Sequence, residues 1–240
     1  MNYMDSTIIF FIFLIFLIFL ITIVIITIMQ NKLYSDIPPL INILTRTGSR
    51  KKCYENLKKS LGKQTYKNYR HIKSCDNTEC NFLDEEKDVY RVKKLKKYRD
   101  NHCPYNLYLN TLINKVRRGW IIVVDDDAKF VDPNFLMNLS HELSMADKNK
   151  IFIHNIYAGK DKSIMPVKNR ADNKNIRDMS IDMGCIIFHC SNKTRFKEIC
   201  GGDNVFFKEA METYEPAFLD IPIGIWINYR GWANGKNIDC

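Results

Sequence analysis

The chain reads as an α/β protein, a mostly parallel sheet flanked by helices and preceded by one N-terminal apolar helix. Three features predict this. First, Gly119-Trp120-Ile121-Ile122-Val123-Val124 is a short apolar run that ends in Asp125-Asp126-Asp127. Its four aliphatic residues are too few for a helix and too apolar for a solvent-exposed strand, so they form a buried strand of a parallel sheet. Second, β-prone apolar stretches alternate with helical patterns from residue 40 onward, the order expected of an α/β sheet. Third, Ile8 to Met29 is an almost unbroken run of Ile, Phe, Leu, Val and Thr without a charge. At 1.5 Å per residue it spans roughly 33 Å, enough for a hydrocarbon core of about 30 Å.

The apolar run lacks the basic leader, short core and small-residue cleavage site of a secretory signal peptide, so it is expected to be an uncleaved anchor. The organisation is then a tail over 1–7, a transmembrane helix over 8–29, a linker over 30–39 stiffened by Pro38-Pro39, and one domain over 40–240. Orientation is open. Lys32, Arg46, Arg50, Lys51 and Lys52 follow the run and weakly place the domain in the cytoplasm. The triplets Asn138-Leu139-Ser140 and Asn192-Lys193-Thr194 are glycosylation acceptors if it lies in a secretory lumen. Eight cysteines without CxxC or zinc spacing are compatible with either side.

Within the domain, residues 40–45 read as the first strand. Ser49 would cap a helix over about 50–61, with Tyr54, Leu57 and Leu61 on its apolar stripe and Gly62 at its end. A strand over 71–75 completes a β, α, β order, and a short strand is expected near 88–92. Pro104 fits the first turn of a helix to about Arg118 that leads into the acidic strand. Asp132-Pro133 would open a helix over 134–145. Strands follow at 151–154 and 185–189, separated by a polar, irregular stretch over 158–182. A helix over 203–213 precedes a strand-like segment over 218–228, interrupted by Pro222 and Gly224.

The net charge of +9 invites a nucleic-acid partner. The cations cluster instead in Lys93, Lys94, Lys96 and Lys97 and between Arg46 and Arg70, as on a solvated helix face or a surface attracted to phosphate groups. No zinc finger or single-strand-binding motif accompanies them, so no nucleic acid is expected as a partner.

Three adjacent acids at a strand end repel one another and call for a compensating cation or donor. In an extended chain Asp125 and Asp127 face one way and Asp126 the other, giving two oxygen ligands suited to Mg2+ or Mn2+. An acidic loop paired with lysines is the plainer alternative. Asp203, after Gly201-Gly202, is either a plain helix cap or a reactive acid beside a closely approached ligand. His189 is a candidate metal ligand or a satisfied core histidine. Trp226 and Trp232 suit either a sugar face or burial.

Several segments together resemble the nucleotide-sugar-dependent glycosyltransferases of the GT-A fold, in the manner of glycosyltransferase family 2. They are Leu44-Thr45-Arg46-Thr47-Gly48-Ser49-Arg50, Leu57-Lys58-Lys59-Ser60-Leu61, Gln64 to Ile72, Tyr105 to Asn110, and GWIIVVDDDAKFVDPNFL, whose acids take the place of the family's DxD motif. The likeness is good over residues 40–136 and loose beyond. It implies that Thr45 and Arg46 lie beside the nucleotide and that Asp76 contacts the uracil or ribose. Asp125 and Asp126 would belong to the donor site, and Asp127, with Asp125, would hold Mn2+ or Mg2+ on the diphosphate.

Asp203 would be the general base that takes the acceptor hydroxyl's proton. Asp182, Gly202 and Trp232 would touch sugar or acceptor. The partners implied are a nucleotide sugar, with UDP the expected nucleotide, and a glycan, protein or lipid-linked hydroxyl acceptor at a membrane. The chain departs from the pattern in having no histidine after His189, which leaves the third metal ligand unassigned. An inactive, membrane-tethered relative of the same fold is the alternative.

Overall fold

The computed structural model describes residues 6–35, 37–48, 50–75, 80–93, 106–166 and 181–228. The expected cap Ser49, the helix start at Pro104 and the lysines at 94, 96 and 97 lie outside these residues. The chain divides into two compact units, Met1–Pro38 and Pro39–Cys240.

The first unit holds one continuous helix, α1 (Ser6–Ser35). Its side chains are described over residues 10–26 and are exposed throughout. Among the described residues no helix is long and apolar enough to cross a membrane.

The second unit is built on a seven-stranded sheet. Its strands are β1 (Ile41–Thr47), β2 (Tyr69–Cys75), β3 (Val89–Arg91), β4 (Trp120–Val123), β6 (Lys150–Ile153), β9 (Ile186–His189) and β10 (Glu215–Phe218). Their spatial order is β10-β6-β9-β4-β1-β2-β3. All neighbours run parallel except β9, which is antiparallel to both β4 and β6. A smaller sheet joins β5 (Ala128–Phe130), β11 (Ile225–Ile227), β7 (Ile156–Ala158) and β8 (Ser163–Met165) in the order β5-β11-β7-β8. The hairpin β7–β8 occupies part of the stretch expected to be irregular, and the strand-like segment 218–228 resolves into the ends of β10 and β11.

The central strands are apolar for a physical reason. β1 and β4 have neighbours on both sides and are covered on both faces, so nearly every side chain must be buried. All four residues of β4 are buried, as is β1 apart from Arg46. The polar Asn42 is tolerated there because its Nδ2 donates to the carbonyls of Arg118 at 2.9 Å and Trp120 at 3.0 Å. Gly119 enters β4 at φ +88°, and an added Cβ would lie 2.3 Å from the Leu40 carbonyl oxygen. Only glycine fits that close backbone approach.

The helices α2 (Lys51–Gly62), α3 (Asn106–Ile113), α4 (Phe135–Ser144) and α5 (Gly202–Met211) bury one face each. In α2 the buried set is Cys53, Tyr54, Leu57 and Leu61, at helical spacing. In α3 the helix ends at Ile113, earlier than the apolar pattern suggests, and a turn at Asn114-Lys115 follows. Asn134 precedes α4 without a side-chain cap. The buried Gln64 supplies one instead: its Oε1 accepts from Leu136 N at 2.9 Å, while its Nε2 donates to Asp132 O at 2.7 Å. One of the helix's orphan N–H groups is thereby satisfied from another element.

Cys75 is disulfide-bonded to Cys80, and Cys53 and Cys200 are also disulfide-bonded, whereas Cys185 and Cys190 are free. Of the two glycosylation triplets, Asn192 is buried at 1% exposure and its Oδ1 accepts from Thr194 N at 2.8 Å, so its side-chain amide is not presented to solvent. Asn138 lies inside α4, half-buried.

Candidate functional site

The site forms where the carboxyl ends of β1 and β4 meet, the position at which open α/β sheets bind ligands. Beyond Val123 the chain leaves the sheet, and Asp126-Asp127 lie in a turn closed by Ala128 N donating to Asp125 O at 3.0 Å. The strict alternation expected of an extended chain therefore ends before the acids, and the three carboxylates diverge in another way.

Asp125 points at Arg46, the last half-exposed residue of β1. Arg46 Nε donates to Asp125 Oδ1 at 3.0 Å and its Nη2 pairs with Oδ2, a two-pronged contact. The same guanidinium donates through Nη1 to Asn106 Oδ1 at 3.3 Å. Asn106 is itself braced, its Nδ2 donating to the carbonyls of Ile199 at 2.8 Å and Lys197 at 3.2 Å. α3 and the segment before α5 are thus tied to the end of β1.

Asp126 turns inward. It is fully buried, accepts from Thr47 Oγ1 at 2.8 Å, and is gripped by Arg50. The structure places Asp126, expected at the donor site, as a buried strut between the β4 turn and the end of β1. Thr45, expected beside the nucleotide, is placed inside as well. Its side chain is fully buried, its Oγ1 donates to Val124 O at 2.6 Å, and His71 Nε2 lies 2.9 Å from the same oxygen. The hydroxyl links β1 to β4 and is not presented to a ligand. Asp127 keeps 8% exposure and faces Arg50 Nη1 at 3.3 Å.

Across from Asp125 stand two acids from the later part of the chain. Asp182 accepts from Gly184 N at 2.7 Å and so caps the short turn Met183–Cys185 that leads into β9. Asp203, in the first turn of α5, accepts from Met183 N at 3.4 Å. The antiparallel course of β9 brings this turn to the carboxyl end of β4. Arg46, Asp125, Asp182, Gly202 and Asp203 line one cavity of about 340 Å3, whose other walls include the apolar Val123, Met165, Ile181 and Met183. That volume lies at the lower end of the range for small-molecule sites. Asp76 and Trp232 lie outside the described residues.

The charges are unbalanced. Among the described residues of the site, five carboxylates, Asp125, Asp126, Asp127, Asp182 and Asp203, stand beside two guanidinium groups, Arg46 and Arg50. Burial pushes the Asp126 carboxyl up to about 7 against the pull of Arg50. Burial raises Asp127 to about 6, again against Arg50, with Asp125 and Asp182 adding repulsion. Asp203 is raised to about 6 by burial and by Asp125, with Arg46 opposing. Among the described residues, the site carries more acids than cations.

The donor set is carboxylate oxygen only, which suits a hard cation. Among the described residues no three acidic, histidine or cysteine side chains form a metal cage by themselves. Magnesium-type ions are usually held by one or two carboxylates, with substrate phosphates and water completing the shell, and Asp127 with Asp125 fits that pattern.

His189 does not belong to the site. It pairs with Trp120 at the opposite end of β4 from the acids, because β9 runs antiparallel, and its Nδ1 lies 3.0 Å from Ser191 Oγ. Trp226 is engaged through Nε1 with Gly159 O at 2.8 Å and is covered by Lys129. Asn106 has a clear role here that the sequence did not mark, and Arg50 was marked only as one of the basic residues from Arg46 to Lys52 that could assist the leaving group. Both lie within the segments that carry the family likeness, and that was the available signal.

This architecture, a largely parallel sheet with an acid-bearing turn at the carboxyl end of a central strand, is the fold of the GT-A glycosyltransferases. The crystal structure of S. aureus TarS superimposes with a TM-score of 0.60 at 14% identity over 78% of this chain. The mannosyltransferase PcManGT from Pyrobaculum calidifontis, in complex with GDP-Man and Mn2+, matches over 83% at a TM-score of 0.52 and 11% identity. GalNAc-T7 with UDP, GalNAc and Mn2+ matches over 80% at 0.55 and 12%. The chain spans 36% of TarS, 60% of its 1–349 fragment, 63% of PcManGT and 44% of GalNAc-T7. No protein-family model matches the sequence, and no curated protein matches it.

Proposed function

We propose that the chain is a membrane-anchored, metal-dependent glycosyltransferase that moves a sugar from a nucleotide donor, with UDP the expected nucleotide, to a hydroxyl acceptor. The observation that carries this reading is the convergence of Arg46, Asp125, Asp182, Gly202 and Asp203, from widely separated segments, on one cavity at the carboxyl end of β4. Structural neighbours of the same fold have been crystallised with UDP, UDP-GlcNAc or GDP-Man, two of them with Mn2+.

In this reading Arg46 and Asp125 orient the donor, and Asp127, with Asp125, holds Mn2+ or Mg2+ at its diphosphate. Bound there, the cation would stabilise charge developing on the leaving nucleotide. Asp203 takes the acceptor's proton. Its carboxyl, raised to about 6, is ionised at neutral pH yet basic enough for that task. Asp182 and Gly202 face the sugar or acceptor, and Asp76 and Trp232 keep the donor and acceptor roles implied by the likeness.

The apolar run 8–29 is the proposed anchor, supported by its length and lack of charge. We assign the domain to an oxidising lumenal face. Support comes from the disulfide-bonded Cys53, Cys75, Cys80 and Cys200, since such bonds persist in oxidising compartments. The test is a donor screen on the full chain, with and without Mn2+ or Mg2+. Metal-dependent donor hydrolysis or transfer is expected and should be lost in Asp203→Asn; nucleotide-sugar binding without turnover would favour the inactive relative.

A further inference from the structure

Arg50 makes three hydrogen bonds to two carboxylates of the site, yet the transfer chemistry gives it no part. Its Nε donates to Asp126 Oδ2 at 3.2 Å, its Nη2 pairs with Asp126 Oδ1, and its Nη1 reaches Asp127 Oδ2 at 3.3 Å. Thr47 Oγ1 donates to the same Asp126 oxygen at 2.8 Å. Asp126 is fully buried, whereas the Arg50 side chain is 37% exposed.

The two halves of this contact differ in strength. The fork on Asp126 is two-pronged and set against a desolvated carboxylate, the strong form of an arginine–carboxylate pair. The reach to Asp127 is a single contact of 3.3 Å, to a carboxylate that keeps 8% exposure where Asp126 keeps none. Nη1 can therefore let go of Asp127 while the fork stays closed.

We propose that Arg50 is a resident counter-ion that occupies Asp127 until metal and diphosphate are present together, and then offers its freed N–H to the phosphate. The inference deepens the donor-site reading of Asp127 and rests on it. A guanidinium and a divalent cation compete for the same carboxylate lone pairs, and their charges repel strongly at such range in a partly desolvated site. Alone, the chain is then a weak site for a divalent cation. A diphosphate gives Arg50 a second anion to face, and the competition for Asp127 falls away. Arg50 is in this sense a positioning residue for the donor, held in place by Asp126 and Thr47.

The test is Mn2+ binding to the full chain in detergent, followed by electron paramagnetic resonance, for the wild type, Arg50→Gln, Arg50→Lys and Asp127→Asn. Arg50→Gln should bind Mn2+ alone about tenfold more tightly than the wild type. Arg50→Lys, whose single nitrogen serves the buried Asp126 and leaves Asp127 free, should tighten it in the same direction; this variant carries the test if the first does not fold. Adding inorganic pyrophosphate should tighten Mn2+ binding to the wild type more than to Arg50→Gln.

Unchanged or weaker Mn2+ binding in both Arg50 variants overturns the proposal, as does an equal pyrophosphate effect in wild type and Arg50→Gln. If Asp127→Asn leaves Mn2+ binding untouched, the donor-site reading itself is wrong. If that variant abolishes binding while the Arg50 variants behave like the wild type, only the role of Arg50 is lost.

Discussion

Gly202→Ala is the sharpest single probe of how the site is held together. Gly202 opens α5, and its backbone is compatible with any residue, so the substitution acts through space alone. A Cβ there would lie 2.3 Å from Asn106 Nδ2 and 3.3 Å from its Cγ. Asn106 is buried, and its amide donates to two carbonyls while its oxygen accepts from Arg46. The methyl group must push this amide aside. Overpacking costs about 1–3 kcal/mol, and each displaced hydrogen bond about 1 kcal/mol.

A total loss of about 2–4 kcal/mol in urea unfolding, followed by tryptophan fluorescence, is expected from those terms. Donor affinity should fall with it, because Arg46 loses its lateral brace. In an Asn106→Ala background the new methyl meets no amide, so adding Gly202→Ala should cost at least about 1 kcal/mol less than it does in the wild type. Strict additivity of the two substitutions would refute the account.

Asp203→Asn should lower turnover by about 10²- to 10⁴-fold while leaving donor binding within a few-fold, read from initial rates and donor calorimetry. Glu86→Gln should destabilise the fold by about 1–3 kcal/mol in chemical denaturation, because Lys73, only 3% exposed, exchanges its charged partner at 3.2 Å for a neutral acceptor. His154 is fully buried, and burial holds it down at about 4, so the native protein resists its protonation while the unfolded chain accepts the proton near 6.5. Its contribution is therefore present above about 6.5 and lost as pH falls toward 4. Relative to His154→Gln, the wild type should lose about 3 kcal/mol over that window, measured by denaturant unfolding at stepped pH; a constant difference would contradict the burial argument.

Much of the sheet was legible because the information is local. A parallel central strand needs apolar residues on both faces, and Trp120 to Val124 advertises that need without any knowledge of its neighbours. The stripe of α2 is as plain, since Tyr54, Leu57 and Leu61 recur at helical spacing. What failed to read was set by partners distant in sequence. The burial of Thr45 depends on Val124 and His71, and the inward turn of Asp126 depends on Thr47 and Arg50. The exclusion of His189 follows from β9 running antiparallel to β4, a register no local pattern reports. Gln64 acting as the cap of α4 is the same kind of fact, a side chain spent on a helix in another part of the chain.

The acidic triplet shows why the local rule gave way where it did. Side-chain alternation holds only while the backbone stays extended, and here the sheet ends at Val123, before the acids begin. Once the chain turns, each carboxylate takes the partner that its own direction offers: Asp125 the end of β1 through Arg46, Asp126 the interior through Thr47 and Arg50, Asp127 the exposed side of the same arginine. Of the three, the middle one has no exposure at all, Asp127 keeps 8%, and it is the middle one that holds Arg50 in reach of its neighbour. Asp126→Asn should thus release Arg50 as well as remove a buried charge. Asp127→Asn leaves the fork on Asp126 closed and should cost far less stability, though it removes a carboxylate proposed to hold the metal. A melting-temperature loss clearly larger for Asp126→Asn than for Asp127→Asn is the expected ordering, and the reverse would mean that the strut and the proposed metal ligand have been assigned to the wrong acids.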